Sequence, residues 1–320
     1  MTTDSEQPVS IDAVVIGRNE GARLVTCLQS LKGQVRQLVY VDSGSTDGSV
    51  AKAQDLGAEV VELDMSRPFT AARARNAGLA RLSGDGLVQL VDADCEVVEG
   101  WLQSAQAYLD AHPDVAVVCG RRKERHPDAT RYNGFCDAEW DTPVGEAKAC
   151  GGDAVMRLSA LRDAGGYRDD LIAGEEPELC VRLRQSGWKI WRLDAEMTLH
   201  DAQITRFSQW WKRTRRAGHA FAEGAALHGA PPEQHWVKET RRALLWGAGL
   251  PLMITAAACV QPVLALGFAI YPAQLIRLSR KMPFDAALYT LVGKFAEAQG
   301  ALEYYKNRLL GQRRGILEYK

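Results

Sequence analysis

This chain lacks most of the marks of a secreted, disulfide-stapled or metal-ribbon protein. Its seven cysteines, at positions 27, 95, 119, 136, 150, 180 and 259, are odd in number and include no CxxC pair. Neither a disulfide framework nor a zinc site is expected from that spacing, which suits reduced thiols in the cytoplasm. The first ten residues are polar, and Asp12 and Arg18 interrupt the first apolar run, so no signal peptide is expected. A G-x-G-x-x-G fingerprint is missing after that run, where GRNEG stands instead. A dinucleotide-binding oxidoreductase loses ground accordingly. Net charge is almost absent, at −1, but the two ends of the chain differ. Residues 1–203 hold 22 Lys/Arg against 33 Asp/Glu, and residues 204–320 hold 17 against 7. An acidic front and a basic rear speak against a nucleic-acid binder and suggest that the rear meets an anionic surface such as phospholipid headgroups.

What is present begins with an alternation of strand and helix. IDAVVI reads as a strand, and the following segment carries apolar residues at 24, 25, 28 and 31, a helical spacing. QLVYVD, AKAQDLG, AEVVEL, a helix over 70–82 and the apolar run before Asp92 continue the pattern. Such alternation predicts a doubly wound α/β sheet, in which ligands bind beyond the carboxyl ends of the strands. Asp42 and Asp92 stand at two of those ends. Asp42 and Asp47 also suit ordinary turn chemistry, and Asp92 and Asp94 could be a solvated loop. In QLVDADCEV, however, two carboxylates one residue apart can point to the same side of an extended segment. Mg²⁺ and Mn²⁺ prefer oxygen ligands and often take only one or two protein carboxylates, with substrate phosphates completing the shell.

Four segments in order, VVIGRNE, VYVDSGSTDGS, ARARNAGL with QLVDADCE, and GEEPELCVRLRQSGW, resemble a family 2 glycosyltransferase with the GT-A fold. The resemblance covers about residues 11–220 and implies a GT-A catalytic domain over 1–203. It implies a DxD motif in which Asp92 and Asp94 bind Mg²⁺ or Mn²⁺ and the donor diphosphate, with His200 completing the metal shell. Glu20, Asp42, Arg75 and Asp92 would bind the nucleotide-sugar donor, a UDP- or GDP-sugar. The family often has a second acid after Asp42, where this chain has Ser43. The base that takes the acceptor proton would be Glu176, the second acid of the EE pair, with Glu175 as the alternative. Pro177 suits the first turn of a helix and suggests that Glu176 is its N-cap. Gly151 and Gly152 resemble the acceptor-side loop, and Trp140 offers a stacking face there. SQWWKRT lacks the arginine-tryptophan order of the QxxRW motif of processive synthases, which points to transfer of a single sugar.

Behind this domain, Phe207, Trp210, Trp211, Thr214, Gly218, Phe221 and Ala225 follow helical spacing opposite Lys212, Arg213, Arg215 and Arg216. Amphipathic interfacial helices are expected over 204–242, with a packed core helix as the alternative. From Ala243 to Ile276 there are 34 residues without a charge. That is more than one span of about 20 residues and less than two with a turn. A membrane hairpin or re-entrant segment is therefore expected over 243–278, turning near Gln261-Pro262. Further amphipathic helices and a basic tail follow over 279–320. Basic residues flank both ends of the hairpin, which under the positive-inside rule places them in the cytosol. The resulting expectation is an inverting, metal-dependent transferase at the cytoplasmic face of the plasma membrane, acting on a lipid-linked or saccharide acceptor in polysaccharide or glycolipid synthesis. A sugar nucleotidyltransferase and a non-catalytic membrane scaffold are its rivals.

Overall fold

The computed structural model describes residues 11–312. Among the described residues there are two compact units: one holds the chain from Ile11 to Leu171 together with Glu175–Gln203, the other holds Ile172–Gly174 and the chain from Ile204 to Gln312. All but the first residue of the expected basic tail, and the polar first ten residues, lie outside the described residues.

The first unit is built on one sheet. Its strands are β1 (Ile11–Gly17), β2 (Leu38–Asp42), β3 (Glu59–Glu62), β4 (Leu87–Asp92), β5 (Cys95–Val97), β6 (Val115–Glu124), β7 (Gly145–Glu146), β8 (Ala154–Arg157) and β9 (Lys189–His200). The sheet order is β3-β2-β1-β4-β8-β6-β9-β5, with β7 pairing β9. β3, β2, β1 and β4 are mutually parallel, as helical crossovers require. Beyond β4 the expectation of a doubly wound sheet fails. β8 runs antiparallel to both β4 and β6, and β5 and β7 run antiparallel to β9. Past Asp92 the strands are joined by loops as well as helices, so nothing enforces a common direction.

The helix Ala22–Leu31 buries Leu24, Cys27, Leu28 and Leu31, with Val25 only half-buried at the margin of the stripe. Ala71–Leu79 starts at Thr70, whose hydroxyl accepts from the Arg73 amide. This helix lies very close to the sheet. A Cβ added at Gly78 would stand 2.3 Å from Val14 Cγ1. Arg75 is thereby carried down to the sheet edge.

In the second unit Phe207–His228 packs along Phe284–Leu309 at short range. A Cβ on Gly218 would fall 2.0 Å from the Glu297 carbonyl, and one on Gly300 would fall 1.9 Å from that of Arg215. Trp210 is buried beside Gly293 and Tyr289, and Arg215 bridges Glu303 at 2.7 Å. The apolar stripe of Phe207–His228 is therefore packed against Phe284–Leu309, with Phe207 still 46% exposed. Val237–Leu244, a π-helical turn at Leu245–Gly249 and Leu250–Val260 form one rod. The π turn has a cause. Pro251 cannot donate to the preceding turn, and the Leu250 amide bonds back to the Leu245 carbonyl instead. At Gln261 the backbone becomes extended, and Pro262–Ala269 and Ile270–Ser279 return antiparallel to the rod. The Tyr271 hydroxyl donates to the Trp246 carbonyl at 2.7 Å, and Ile254 lies over Gly267. The turn falls at the expected Gln261-Pro262. Val260, Leu266, Leu252 and Met253 are all exposed, Val260 at 88%.

Candidate active site

Strand register gathers the site. Gly17 pairs with Asp42, and Ile16 with Asp92, so β1, β2 and β4 deliver their carboxyl ends to one edge. The strand β9 ends there too, because His200 pairs with Cys95.

On one side of this edge two loops are zipped together. Asn19, at a φ of 55°, accepts from the Thr46 amide at 2.7 Å, while its own amide donates to the Ser45 hydroxyl at 2.8 Å. Asp47 accepts from the Gly21 and Ser49 amides and from the Ser49 hydroxyl, which holds its carboxyl below the usual range. Asp42 is buried; it accepts from the Gly44 and Ser45 amides at 2.9 and 2.7 Å and from the Tyr40 hydroxyl at 2.8 Å. Its visible work is to shape the turn, and Ser43 beside it is buried as well. Glu20 pairs with Arg23 at 2.5 Å and folds over Gly17.

Arg75 is the hub of the edge. Its side chain, 3% exposed, bridges Asp92 at 2.7 Å and Glu175 at 2.6 Å. Its ring neighbour is Tyr167, whose centroid lies 5.6 Å from the guanidinium carbon. Asp92 is also 3.7 Å from Arg122, and Arg122 bridges the fully buried Asp153 at 2.8 Å. Asp153 in turn accepts from the Asp92 amide at 3.1 Å and the Thr198 hydroxyl at 2.8 Å. Gly152 is threaded through this network. A Cβ there would stand 2.8 Å from the Asp92 carboxylate and 3.0 Å from the Arg75 guanidinium. Gly152→Ala is therefore expected to cost about 1–3 kcal/mol by overpacking and to displace Asp92. Chemical denaturation beside donor titration checks this, and a variant with unaltered stability and affinity would contradict it.

Asp94 and His200 are brought together. The Asp94 carboxylate lies 3.3 Å from His200 Nε2, and Glu124 lies 3.5 Å from Nδ1. Burial pushes the His200 pKa down, with the neighbouring Glu124 carboxylate opposing it, which favours the neutral ring. Two cis ligands about 2.1 Å from an octahedral ion lie about 3 Å apart. The Asp94–His200 spacing fits that geometry, and a carboxylate behind the distal ring nitrogen is the usual support of a ligating histidine. The Cys95 thiol lies 3.7 Å from Asp94, but burial raises its pKa far above the ordinary range. A protonated thiol is a poor partner for a hard cation. Asp92, held by Arg75, stands outside the Asp94–Cys95–His200 group.

Glu175 and Glu176 diverge. The helix spans Glu175–Gln185, so Glu176 lies inside the first turn and is not the N-cap suggested by Pro177. Glu175 faces Arg75. Glu176 is buried, and its Oε1 accepts from the Cys150 amide at 2.7 Å and from the Cys150 and Cys180 thiols at 2.9 Å each. Among the described residues its Oε2 has no hydrogen bond. Burial raises the Glu176 pKa, and the thiol and amide donors partly offset it. Cys150 leads directly into Gly151, at a φ of 80°, and Gly152. Trp140 meets His200 edge-on, with centroids 4.6 Å apart, and Arg122 lies over its ring. Its ring is thus engaged by the site rather than open on both faces.

Sequence reasoning missed Arg122, Glu124 and Asp153. RRKE at the end of β6 opens a stretch with little periodicity, and Asp153 sits next to the glycines that drew attention. Only the antiparallel return of β8 and the long β9 bring these residues to Asp92 and His200.

Residues 12–140 match the family described as Glycosyl transferase family 2. A pre-mycofactocin glycosyltransferase of Mycobacterium tuberculosis (strain ATCC 25618 / H37Rv) is 28% identical over 234 residues, which cover 68% of this chain and 48% of that relative. The chain thus spans about half the length of that protein. The succinoglycan biosynthesis protein ExoA of Rhizobium meliloti is 23% identical over 328 residues, covering 94% of this chain and 96% of ExoA. Among solved structures, the mannosyltransferase PcManGT from Pyrobaculum calidifontis, in complex with GDP-Man and Mn²⁺, superposes with a TM-score of 0.65 at 20% identity. That likeness, over 91% of this chain and 86% of the other, is one of fold. Residues 12–140 thus carry a family 2 glycosyltransferase domain, set in a fold like that of PcManGT.

Proposed function

We propose that the chain transfers one sugar, with inversion, from a UDP- or GDP-sugar to a lipid-linked or saccharide acceptor at the cytoplasmic face of the plasma membrane. The observation that carries this reading is the buried pair of Asp94 and His200, backed by Glu124, at the edge where β1, β2 and β4 end. Mg²⁺ or Mn²⁺ held by Asp94 and His200 would supply positive charge to the departing nucleoside diphosphate. Arg75 adds a fixed cation beside Asp92, preorganised by two carboxylates, and its placement suits the donor phosphates. Asp42 and Glu20 border the zipped loops, where a nucleoside fits. Glu176 is the base of this scheme: one oxygen is anchored by three donors, the other is open, and burial brings its proton affinity toward the working pH. Glu175 then positions Arg75. The loop of Gly151 and Gly152, with Trp140 nearby, lies on the acceptor side.

The test is a donor screen on the purified chain, with and without Mn²⁺, reading released nucleoside diphosphate. Metal-dependent release from one donor supports the proposal. Release of pyrophosphate, or none from any donor, removes it.

Membrane attachment rests on the hairpin. Val237–Val260 and Pro262–Ser279 are long and apolar enough to cross a membrane, and 6% and 0% of their most apolar windows are buried. With its basic flanks the hairpin favours re-entry from the cytosolic side. The full chain is expected to sediment with membranes and to need detergent for extraction; a monodisperse, detergent-free soluble protein would contradict this.

A further inference from the structure

At the open end of the hairpin, opposite its Gln261-Pro262 turn, lies a cavity of about 300 Å³. Arg242, Trp246, Gln274, Arg277, Lys281 and Lys294 line it. Lys294 pairs with Glu297 at 2.6 Å. Among the described residues Arg242, Arg277 and Lys281 have no ion pair, and the Trp246 indole N–H has no hydrogen-bond partner. Three uncompensated cations converging on one hollow repel one another, so the hollow has a strong preference for an anion.

We propose that this cavity binds the phosphate of an anionic membrane lipid. The inference rests on the membrane reading above and goes beyond it by naming a lipid site. Position selects the lipid over a soluble anion. From Arg242 to the turn the rod rises about 27 Å at 1.5 Å per residue, close to the thickness of a hydrocarbon core of about 30 Å. With the apolar arms inserted, the cations stand at headgroup level. The exposed Leu252, Met253 and Leu266 then offer acyl chains an apolar surface leading away from the phosphate. Arginine forks and the lysine ammonium bond phosphate oxygens directly, and the indole N–H suits the headgroup boundary.

The experiment compares the full chain and two double variants in flotation with vesicles of phosphatidylcholine alone and of phosphatidylcholine with phosphatidylglycerol. R277Q/K281Q removes two cations of the cavity, and R241Q/R280Q removes two cations of the same collar that do not line it. All four residues are exposed, so folding is expected to survive, and melting curves verify it. Diffuse attraction, about fivefold per cation, weakens both variants alike. A built site makes R277Q/K281Q lose about tenfold more, as charge-assisted hydrogen bonds are lost as well. Equal loss in the two variants overturns the proposal, and so does equal binding of the unmodified chain to both vesicle types. Absence of binding to any vesicle removes the membrane reading itself. Inorganic phosphate in excess, at matched ionic strength, is expected to leave flotation unchanged. If it displaces the chain, the cavity is a soluble-anion site and the lipid assignment falls.

Discussion

Replacing Asp94 with alanine is expected to abolish the dependence of donor binding on Mn²⁺ or Mg²⁺. Asp94 is the carboxylate that shares its space with His200, at 3.3 Å, and it is 8% exposed. Removing it leaves a neutral imidazole as the remaining member of the pair and takes the negative charge from a buried position. Transition-state charge of this kind is commonly worth about 10² to 10³ in turnover for each preorganised partner, and loss of a metal's protein ligand removes the partner entirely. Calorimetric titration of nucleoside diphosphate, with and without Mn²⁺, reads the effect. Cys95→Ser is the control, since its thiol is protonated and belongs to no proposed ligand set. Metal-enhanced affinity persisting in Asp94→Ala, or vanishing in Cys95→Ser, would falsify the assignment.

Glu176→Gln is expected to lower turnover by about 10² to 10⁴ with donor affinity nearly unchanged, the signature of a proton acceptor used in the transition state. The amide keeps the size of the carboxylate and an acceptor for the Cys150 amide. The sign of the pH dependence follows from burial. The base acts deprotonated, and its pKa is raised, so activity is lost on acidification at a higher pH than an ordinary glutamate would dictate. That acidic limb should be missing from the residual activity of the variant. Glu175→Gln should behave differently: it loosens Arg75 and weakens donor binding as well as turnover. If the selective loss of turnover appears in Glu175→Gln instead, the two roles are exchanged; if neither variant loses turnover, the base lies elsewhere.

The parallel half of the fold was readable because its strands are mainly apolar runs separated by helices, and the aspartates at positions 42 and 92 fall where two of those runs end. The other half resisted. β8 is four residues long and β5 three, too short for periodicity, and their antiparallel pairing is set by contacts far along the chain. The same holds for the site. Asp92, Asp94 and Arg75 announce themselves by local pattern, whereas Glu124 and Asp153 matter through partners at a sequence distance of 76 and 45 residues, His200 and Thr198. Glu176 was named from its motif, yet its surroundings were not foreseeable: a nest of thiols can be assembled only once Cys150 and Cys180 are folded around it. In Phe207–His228, tryptophans among arginines carry the same pattern for a helix pair as for a lipid surface, and the partner helix lies too far along the chain to be read from that pattern.

The reversal of direction at β8 has a consequence for how such a chain can change over generations. Because β8 is antiparallel to β4, the polypeptide enters it at the edge where β4 ends, with Asp153 fastened to the Asp92 amide. The segment between Trp140 and Asp153 is tied to β9 through β7 and Ala147, to Glu176 through the Cys150 amide, and to β4 at its exit. Residues can be inserted or deleted between those ties without shifting the register of the strands that end in Asp42 and Asp92. If the proposed function holds, acceptor preference would drift by remodelling this short loop, while the edge formed by β1, β2 and β4 stays as it is.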